Sequence, residues 1–227
     1  ELYQDRFYAT LGSKFSHNDY TGFEYQPSLR FSFLPNENHT IWTSISRAVR
    51  TPNRKENDPT ILSEIPSSGN LQIASEELTA FEFGYRTKAV KNVSFDISSY
   101  YNKYEELSTY GFNGDDELYF DNNGKGYTYG YEASTNFQIQ DNWKMTANYS
   151  FIDMRLKDRT GASLGIEELT PENILNVRSS TNFGKKWEWD NTYYHWSALK
   201  TSLGDLKSYN GFTTRISYKP TDTQDIS

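Results

Sequence analysis

The stretch FEYQPSLRFSF, residues 23–33, alternates large apolar and polar side chains almost without interruption. One set contains Phe23, Tyr25, Pro27, Leu29, Phe31 and Phe33, and the other contains Glu24, Gln26, Ser28, Arg30 and Ser32. A repeat of two residues is typical of a β-strand whose two faces meet different surroundings. The same alternation recurs over residues 127–139, 142–153 and 209–219, so we expect the chain to consist mainly of two-faced strands.

Composition favours a transmembrane β-barrel over an ordinary globule. Aromatic residues make up 16% of the 227 residues, whereas apolar residues make up only 35% and the mean hydropathy is −0.82. In such barrels about half of each strand faces a watery lumen, and aromatic girdles lie at both membrane interfaces. No segment approaches about 18 consecutive apolar residues, so a helical membrane span is excluded.

Charge and cysteine content exclude other classes. The net charge is −7, and the basic residues form no stripe interleaved with aromatic residues, which argues against a nucleic-acid partner. The absence of cysteine excludes a disulfide framework. No signal peptide is recognisable at Glu1, and we expect the chain to be a piece of a longer or processed protein.

Ten strands are predicted, and their connections alternate between short and long. The predicted strands are residues 5–16, 22–34, 40–49, 77–87, 92–105, 126–139, 142–153, 175–184, 187–197 and 209–219. The long polar connections are residues 50–76, 106–125, 154–174 and 198–208. Up-and-down barrels of the outer membrane have this asymmetry, with tight periplasmic turns and long extracellular loops. One helical turn at most is predicted, at residues 170–177.

Alternation alone leaves two fold classes open. A soluble extracellular β-sandwich, such as a glycan-binding module, would also place one row inward and the other outward. Aromatic residues at strand ends, such as Tyr100, Tyr101 and Tyr104, favour the membrane. Charges in mid-strand, such as Arg30, Glu82 and Glu132, are expected of a hydrated lumen. A passive porin-like channel is a third alternative.

Five segments resemble the barrel of TonB-dependent outer-membrane receptors. They are TIWTSISRAVRTP (residues 40–52), ELTAFEFGYR (77–86), VSFDISSYYNKY (93–104), NGKGYTYGYE (123–132) and WKMTANYSF (143–151). The segments follow the family's order along nearly the whole chain. The resemblance is specific for the family but not for a ligand.

The resemblance implies an antiparallel transmembrane β-barrel of about 22 strands, closed by a plug domain. Residues 1–227 would form about ten of those strands within a single domain, with the plug, the TonB box and the other strands outside this chain. It further implies active import of a ferric siderophore, cobalamin or a similar scarce nutrient across the outer membrane of a Gram-negative bacterium. The implied partners are outer-membrane lipid, TonB and a small ligand such as an iron chelate or vitamin.

No enzymatic or metal site is expected. The residues His17, His39 and His195 lack the spacing of a metal site. The acidic run Asp115, Asp116, Glu117 and Asp121 lacks the spacing of a calcium loop and is interpreted as a solvated loop. No nucleophile elbow or phosphate-binding loop is present, so catalytic residues, metals and cofactors are all predicted to be none.

Ligand recognition is expected in the external loops and the upper lumen. Arg47 and Arg50 are candidates for an anionic ligand at the barrel mouth, with rim ion pairs as the alternative role. Flat amphipathic side chains suited to a bulky chelate are the other candidates, namely Tyr110, Phe112, Tyr119, Tyr194 and Trp196. Their alternative role is loop packing or an interfacial belt.

Overall fold

Antiparallel β-sheet makes up nearly all of the computed structural model, which describes residues 6–57, 73–112, 114–166, 169–201, 204–221 and 224–226. Its long strands are β1 (Phe7–Asn18), β2 (Gly22–Asn36), β3 (His39–Arg50), β4 (Glu76–Thr87), β5 (Val93–Phe112), β6 (Leu118–Gln140), β7 (Trp143–Lys157), β8 (Asn173–Phe183), β9 (Trp187–Trp196) and β12 (Tyr209–Thr221). The short elements are α1 (Arg54–Asn57), β10 (Leu199–Thr201), β11 (Gly204–Leu206) and β13 (Gln224–Ile226).

Each long strand pairs with the next long strand along the chain. The sheet has 11 strands in the order β1 to β9, then β12 and β13, while β10 and β11 form a separate hairpin. This single meander confirms the predicted up-and-down barrel architecture. A sandwich needs two facing sheets, so the sandwich alternative is wrong.

The strand registers align side chains of one kind across the sheet. One row of direct cross-strand partners crosses the sheet from β1 to β5 through Leu11, Leu29, Ile45, Phe81 and Tyr101. We call the side of the sheet that carries this row the apolar face. The next row, on the polar face, runs through Arg30, Ser44, Glu82 and Tyr100. A slip of one residue would exchange the two faces.

Large apolar side chains on the apolar face are exposed, with Leu11 80% accessible. Among the residues described, the buried hydrophobic side chains are Ile73, Leu118 and Leu156, which all lie near the ends of strands. Within the described part, the sheet therefore has no apolar core of its own. Such an arrangement is expected of a barrel whose outer wall meets hydrocarbon and whose inner wall meets water.

The two ends of the sheet differ. The connections at residues 37–38, 88–92, 141–142 and 184–186 are short and lie at one end, the short-turn end. The connections at residues 51–75, 158–172 and 197–208 lie at the opposite, long-loop end, together with the three-residue turn after β1. Residues 58–72 of the predicted loop 50–76 lie outside the described part. Across the described ranges, no helix has the length and apolar character that crossing a bilayer requires.

The prediction of a polar loop at residues 106–125 is wrong. Strands β5 and β6 continue through most of it as a long hairpin that ends at Phe112 and Leu118. The pairing register shifts near Leu107, and Glu106 has a φ of 55°. An extra residue at a bulge breaks the two-residue alternation, so the strand signal disappears there.

Two smaller expectations also differ from the structure. Strand β8 begins at Asn173, within the segment 170–177 where a helical turn was predicted, and the helical turn is α1 instead. Asn53 and Glu56 cap α1 reciprocally, since the Asn53 Oδ1 accepts from the Glu56 N–H at 3.1 Å and a Glu56 oxygen accepts from the Asn53 N–H at 2.8 Å. Such a capping box is a recognised start signal for a helix.

Candidate ligand-binding site

Ion pairs occupy much of the polar face near the short-turn end. Asp190 is paired with Arg178 at 3.0 Å and with Arg215 at 3.4 Å, and it accepts a hydrogen bond from the Ser180 hydroxyl. Glu188 lies 3.9 Å from Arg215. Glu188 also lies 3.5 Å from Lys219, so the charged side chains of this part of the wall are paired with one another.

Three aromatic side chains meet on the polar face towards the long-loop end. The ring centroids of Tyr194, Trp196 and Tyr209 are 5.8–6.2 Å apart. Strand β9 supplies the first two, and the pairing of Tyr209 with Trp196 places the third beside them. Trp196 and Tyr209 remain 46% and 52% exposed, so their faces are open to a ligand. We call these three residues the aromatic cluster.

Gly211 allows this cluster to form. It is the cross-strand partner of Tyr194, and a Cβ at position 211 would overlap the Tyr194 ring. The ring therefore lies directly on the backbone of β12. Tyr209 was not predicted as a site residue, because only the register of β9 with β12 shows that it lies beside Trp196.

A recess of about 490 Å³ lies next to the aromatic cluster at the long-loop end. Its polar lining consists of Asp153, Thr170, Glu172, Ser197 and Lys200, and its apolar lining consists of Ile152, Met154, Ala198 and Leu199. Ser197 directly follows Trp196, and its backbone N–H donates to the Asn173 carbonyl at 2.9 Å. The volume lies within the range of small-molecule pockets, which combine apolar surface with a few polar groups.

A second recess, of about 330 Å³, lies further along the polar face. Asp96, Glu132, Asn148 and Asn176 line it. The side chain of Asp96 is paired with Arg86. Polar side chains therefore line one recess at the long-loop end and a second recess nearer the middle of the strands.

The structure places Arg47 and Arg50 on opposite faces. Arg47 shares the apolar face with Ile45, pairs with Glu77 at 2.7 Å and lies 4.8 Å from the centroid of the Tyr25 ring. Its guanidinium also donates to the Tyr25 carbonyl at 2.5 Å. These contacts hold the outer wall of the rim together.

Arg50 lies on the polar face and binds two carboxylates. It donates to Glu76 at 2.5 and 2.7 Å and to Glu56 at 2.9 and 3.1 Å. Burial by itself raises the pKa of Glu56, but the hydrogen bonds from Arg50 and the Asn53 N–H outweigh it and hold that pKa below its ordinary value. Arg50 thus attaches α1 to the start of β4.

The other three predicted aromatic residues lie on the β5–β6 hairpin, away from the aromatic cluster. Tyr110 and Phe112 are 73% and 62% exposed, whereas the Tyr119 ring lies against Gly111. Strands β7 and β8 separate this hairpin from β9, a distance of roughly 14–19 Å at the usual strand spacing. Tyr119 pairs with Gly111, so it lies on the opposite face of the hairpin from Tyr110 and Phe112. Of the predicted site residues, the structure therefore brings only Tyr194 and Trp196 together in the aromatic cluster.

Two of the three histidines have local partners. His39 Nδ1 lies 2.8 Å from the Tyr85 hydroxyl, and His195 Nδ1 lies 2.8 Å from Asn210 Oδ1. No group of three or more histidine and carboxylate side chains that could hold a metal is present in the described ranges.

Comparison with known proteins gives one family. The family model described as "TonB dependent receptor-like, beta-barrel" matches residues 2–226. No curated protein sequence matches this chain significantly.

Solved structures share the fold. The siderophore receptor PirA from Acinetobacter baumannii is 17% identical, with a TM-score of 0.79 over 97% of this chain and 38% of its own. A variant of the ferric enterobactin receptor PfeA from Pseudomonas aeruginosa, in complex with enterobactin, is 19% identical. Its TM-score is 0.83, and the match covers 98% of this chain and 36% of that receptor. The copper transporter OprC is 14% identical. Its TM-score is 0.74, and the match covers 96% of this chain and 37% of that transporter. This chain therefore spans less than two fifths of these proteins.

Proposed function

This chain belongs to the family of TonB-dependent receptor barrels, and from that premise we propose that it is part of an active transporter in the outer membrane of a Gram-negative bacterium. Its cargo is a ferric siderophore or a similar scarce nutrient. The observation that carries the proposal is the aromatic cluster beside a recess on the polar face of a sheet whose other face is apolar and exposed. Transport of this kind depends on gating, so no enzymatic activity is proposed.

The proposed protein is larger than residues 1–227. Within the described part, β1 pairs only with β2, and an unpaired strand edge is not tolerated in hydrocarbon. Further strands complete the barrel, and a plug domain with its TonB-interacting segment fills the lumen. Lipid surrounds the apolar face, and TonB supplies the energy through the plug.

The ligand contacts divide between two sites. Tyr110 and Phe112 on one face of the β5–β6 hairpin make the first contacts, with Tyr119 on its other face, and the aromatic cluster with the adjacent recess holds the ligand at the lumen entrance. Flat rings suit a planar chelating group. The carboxylate partners of Arg47 and Arg50 support rim-ordering roles for both arginines, in place of direct ligand contact.

Uptake measurements test the function. Cells that produce the complete receptor are supplied with iron-55 as catecholate or hydroxamate siderophore complexes, or with labelled cobalamin, in the presence and absence of TonB. We expect accumulation of one of these ligands that stops when TonB is deleted. Accumulation that persists without TonB would show a passive channel instead.

Substitution of the aromatic cluster tests the binding site. Trp196→Ala and Tyr209→Ala each remove a ring contact worth about 0.5–1.5 kcal/mol, so we expect affinity for the transported ligand to fall up to roughly tenfold. The matched control is Phe212→Ala, which removes an exposed ring from the apolar face of the same strand pair. Equal losses in all three variants would reject this site.

A further inference from the structure

Four cations surround a recess on the apolar face at the long-loop end. This recess of about 390 Å³ is lined by the cations Lys103, Lys125, Arg155 and Lys157, by one carboxylate, Glu105, and by Tyr101, Tyr104 and Tyr127. The registers explain the grouping, because Lys103 pairs with Tyr127, Tyr127 pairs with Arg155, and Lys125 pairs with Lys157. We call this site the basic recess.

The charges within the basic recess do not balance. Lys103 is paired with Glu105 at 2.8 Å, and Arg155 is paired with Asp153 at 3.1 Å. Lys125 and Lys157 are direct cross-strand partners, and neither has a carboxylate oxygen within 4.0 Å among the described residues. Like charges in this arrangement destabilise a sheet. An anion between the two ammonium groups would remove that repulsion.

The basic recess lies where the apolar band ends. Towards the short-turn end, the same face continues through Tyr101, Tyr129 and Phe151, and then through Ile97 and Ala133. The centroids of Tyr101 and Tyr127 are 5.8 Å apart, and those of Tyr127 and Tyr129 are 6.4 Å apart. A row of tyrosines of this kind marks the interface between hydrocarbon and headgroups.

We propose that the basic recess binds a phosphate group of an anionic lipid headgroup in the outer leaflet. The proposal rests on the membrane orientation given under the proposed function. Lys125 and Lys157 contact the phosphate from two sides, Arg155 adds a further donor, and the tyrosine rings contact the part of the lipid nearest the acyl chains. The aromatic cluster lies on the opposite face of the sheet, so this lipid does not occupy the cargo site.

A phosphate-containing lipid and its dephosphorylated form test the proposal. The complete receptor is reconstituted in nanodiscs of neutral phospholipid, and the retention of added diphosphoryl lipid A or dephosphorylated lipid A is measured by native mass spectrometry. We expect the phosphorylated form to be retained at least tenfold better. We also expect the double substitution Lys125→Gln and Lys157→Gln to abolish most of that preference.

Matched controls keep the test decisive. The double substitution Lys88→Gln and Lys91→Gln removes the same charge from the short turn between β4 and β5, and we expect it to leave retention unchanged. Because the Lys125 and Lys157 substitutions remove repulsion, the variant folds, and its thermal unfolding midpoint will not fall. Equal retention of both lipid A forms, or equal effects of both double substitutions, would overturn the proposal.

Two further readouts separate alternative explanations. Displacement of lipid A by millimolar inorganic phosphate would identify a site for free anions and would contradict a lipid site. Ligand uptake by the Lys125 and Lys157 variant should stay at the unsubstituted level. If uptake proves independent of TonB while the phosphate preference remains, the proposed function fails and the lipid site stands.

Discussion

At the scale of single residues, close contact between a ring and a glycine recurs on the polar face. Gly84 is the cross-strand partner of Trp42, and a Cβ at position 84 would overlap the Trp42 ring. The Arg30 guanidinium carbon lies 4.8 Å from the centroid of the same ring. The arrangement at Gly211 and Tyr194 is of the same kind. A large ring lying flat on a strand excludes water from the backbone without projecting far into the lumen.

Substitution of Gly84 tests this packing. In Gly84→Ala the Trp42 ring must leave its position, and we expect a loss of about 1–3 kcal/mol in the free energy of unfolding, which is usual for overpacking. The matched control is Gly12→Ala, whose added Cβ would lie at an ordinary 3.4 Å from the Ser28 hydroxyl. Urea-dependent unfolding of both variants in detergent gives the comparison. A loss of the same size at Gly12 would show that glycine flexibility, not the ring contact, is responsible.

At the scale of elements, hydrogen bonds attach the end of the β3–β4 connection to neighbouring strands. Asn122 of β6 is buried, accepts from the Ala74 N–H at 2.6 Å and donates to the carbonyl oxygens of Ala74 and Glu106 at 3.1 and 2.7 Å. The Ser75 hydroxyl donates to Glu24 at 2.5 Å. This segment of the connection is therefore part of the rim.

The contact of α1 with Arg50 predicts a pH dependence of the same connection. The pKa of Glu56 is lowered in the folded protein, so its contribution to stability is complete above the ordinary carboxyl pKa of about 4.3 and is lost as the pH falls through the lowered value. We expect the hydrogen-exchange protection factors of the Glu56 and Asn57 amides, which donate to Asn53, to be constant from pH 7 to pH 5 and to fall below pH 4.

A neutral variant identifies the group responsible. Glu56→Gln should show weaker protection of α1 at neutral pH and a much smaller change on acidification, because the ion pair with Arg50 is already lost. The control Glu37→Gln, in the short turn between β2 and β3, should behave as the unsubstituted protein does. An unchanged acid response in Glu56→Gln would assign the transition to another carboxylate.

At the scale of the whole molecule, the two faces of one sheet meet two different solvents. Leu29 and Ser28 are adjacent in β2, yet Leu29 pairs with Leu11 and Ile45 on the apolar face and Ser28 lies on the polar face. Of two neighbouring residues in the chain, one must therefore be compatible with lipid and the other with water. The same contrast continues across all the long strands.

Arginine at these two adjacent positions tests the assignment of the faces. We expect Leu29→Arg to cost about 2–4 kcal/mol, the usual penalty for arginine on the lipid face near the midplane, whereas Ser28→Arg has a free path to water in the lumen. The measurement is urea-dependent folding of the complete receptor into phospholipid vesicles. Equal penalties for the two variants would contradict the lipid contact of the apolar face.

Prediction from the sequence succeeded where a pattern is local. Alternation identified the long strands and their faces, and the lengths of the connections identified the two ends. It was wrong for residues 106–125, where the bulges near Leu107 break the alternation. The grouping of site residues was also beyond prediction, because the distance between Tyr119 and Tyr194 depends on how many strands lie between them.

The sequence by itself determined the two-faced strands and their order, because a two-residue repeat is a local property of the chain. Its resemblance to TonB-dependent receptors, confirmed by the match to the family model, identified the transmembrane barrel. The tertiary structure alone decided which side chains meet. Tyr209 joins Trp196, Lys125 faces Lys157, and Arg47 and Arg50 lie on opposite faces. Cross-strand register is the physical reason, since it joins residues far apart in the chain and one residue of shift reverses every side chain.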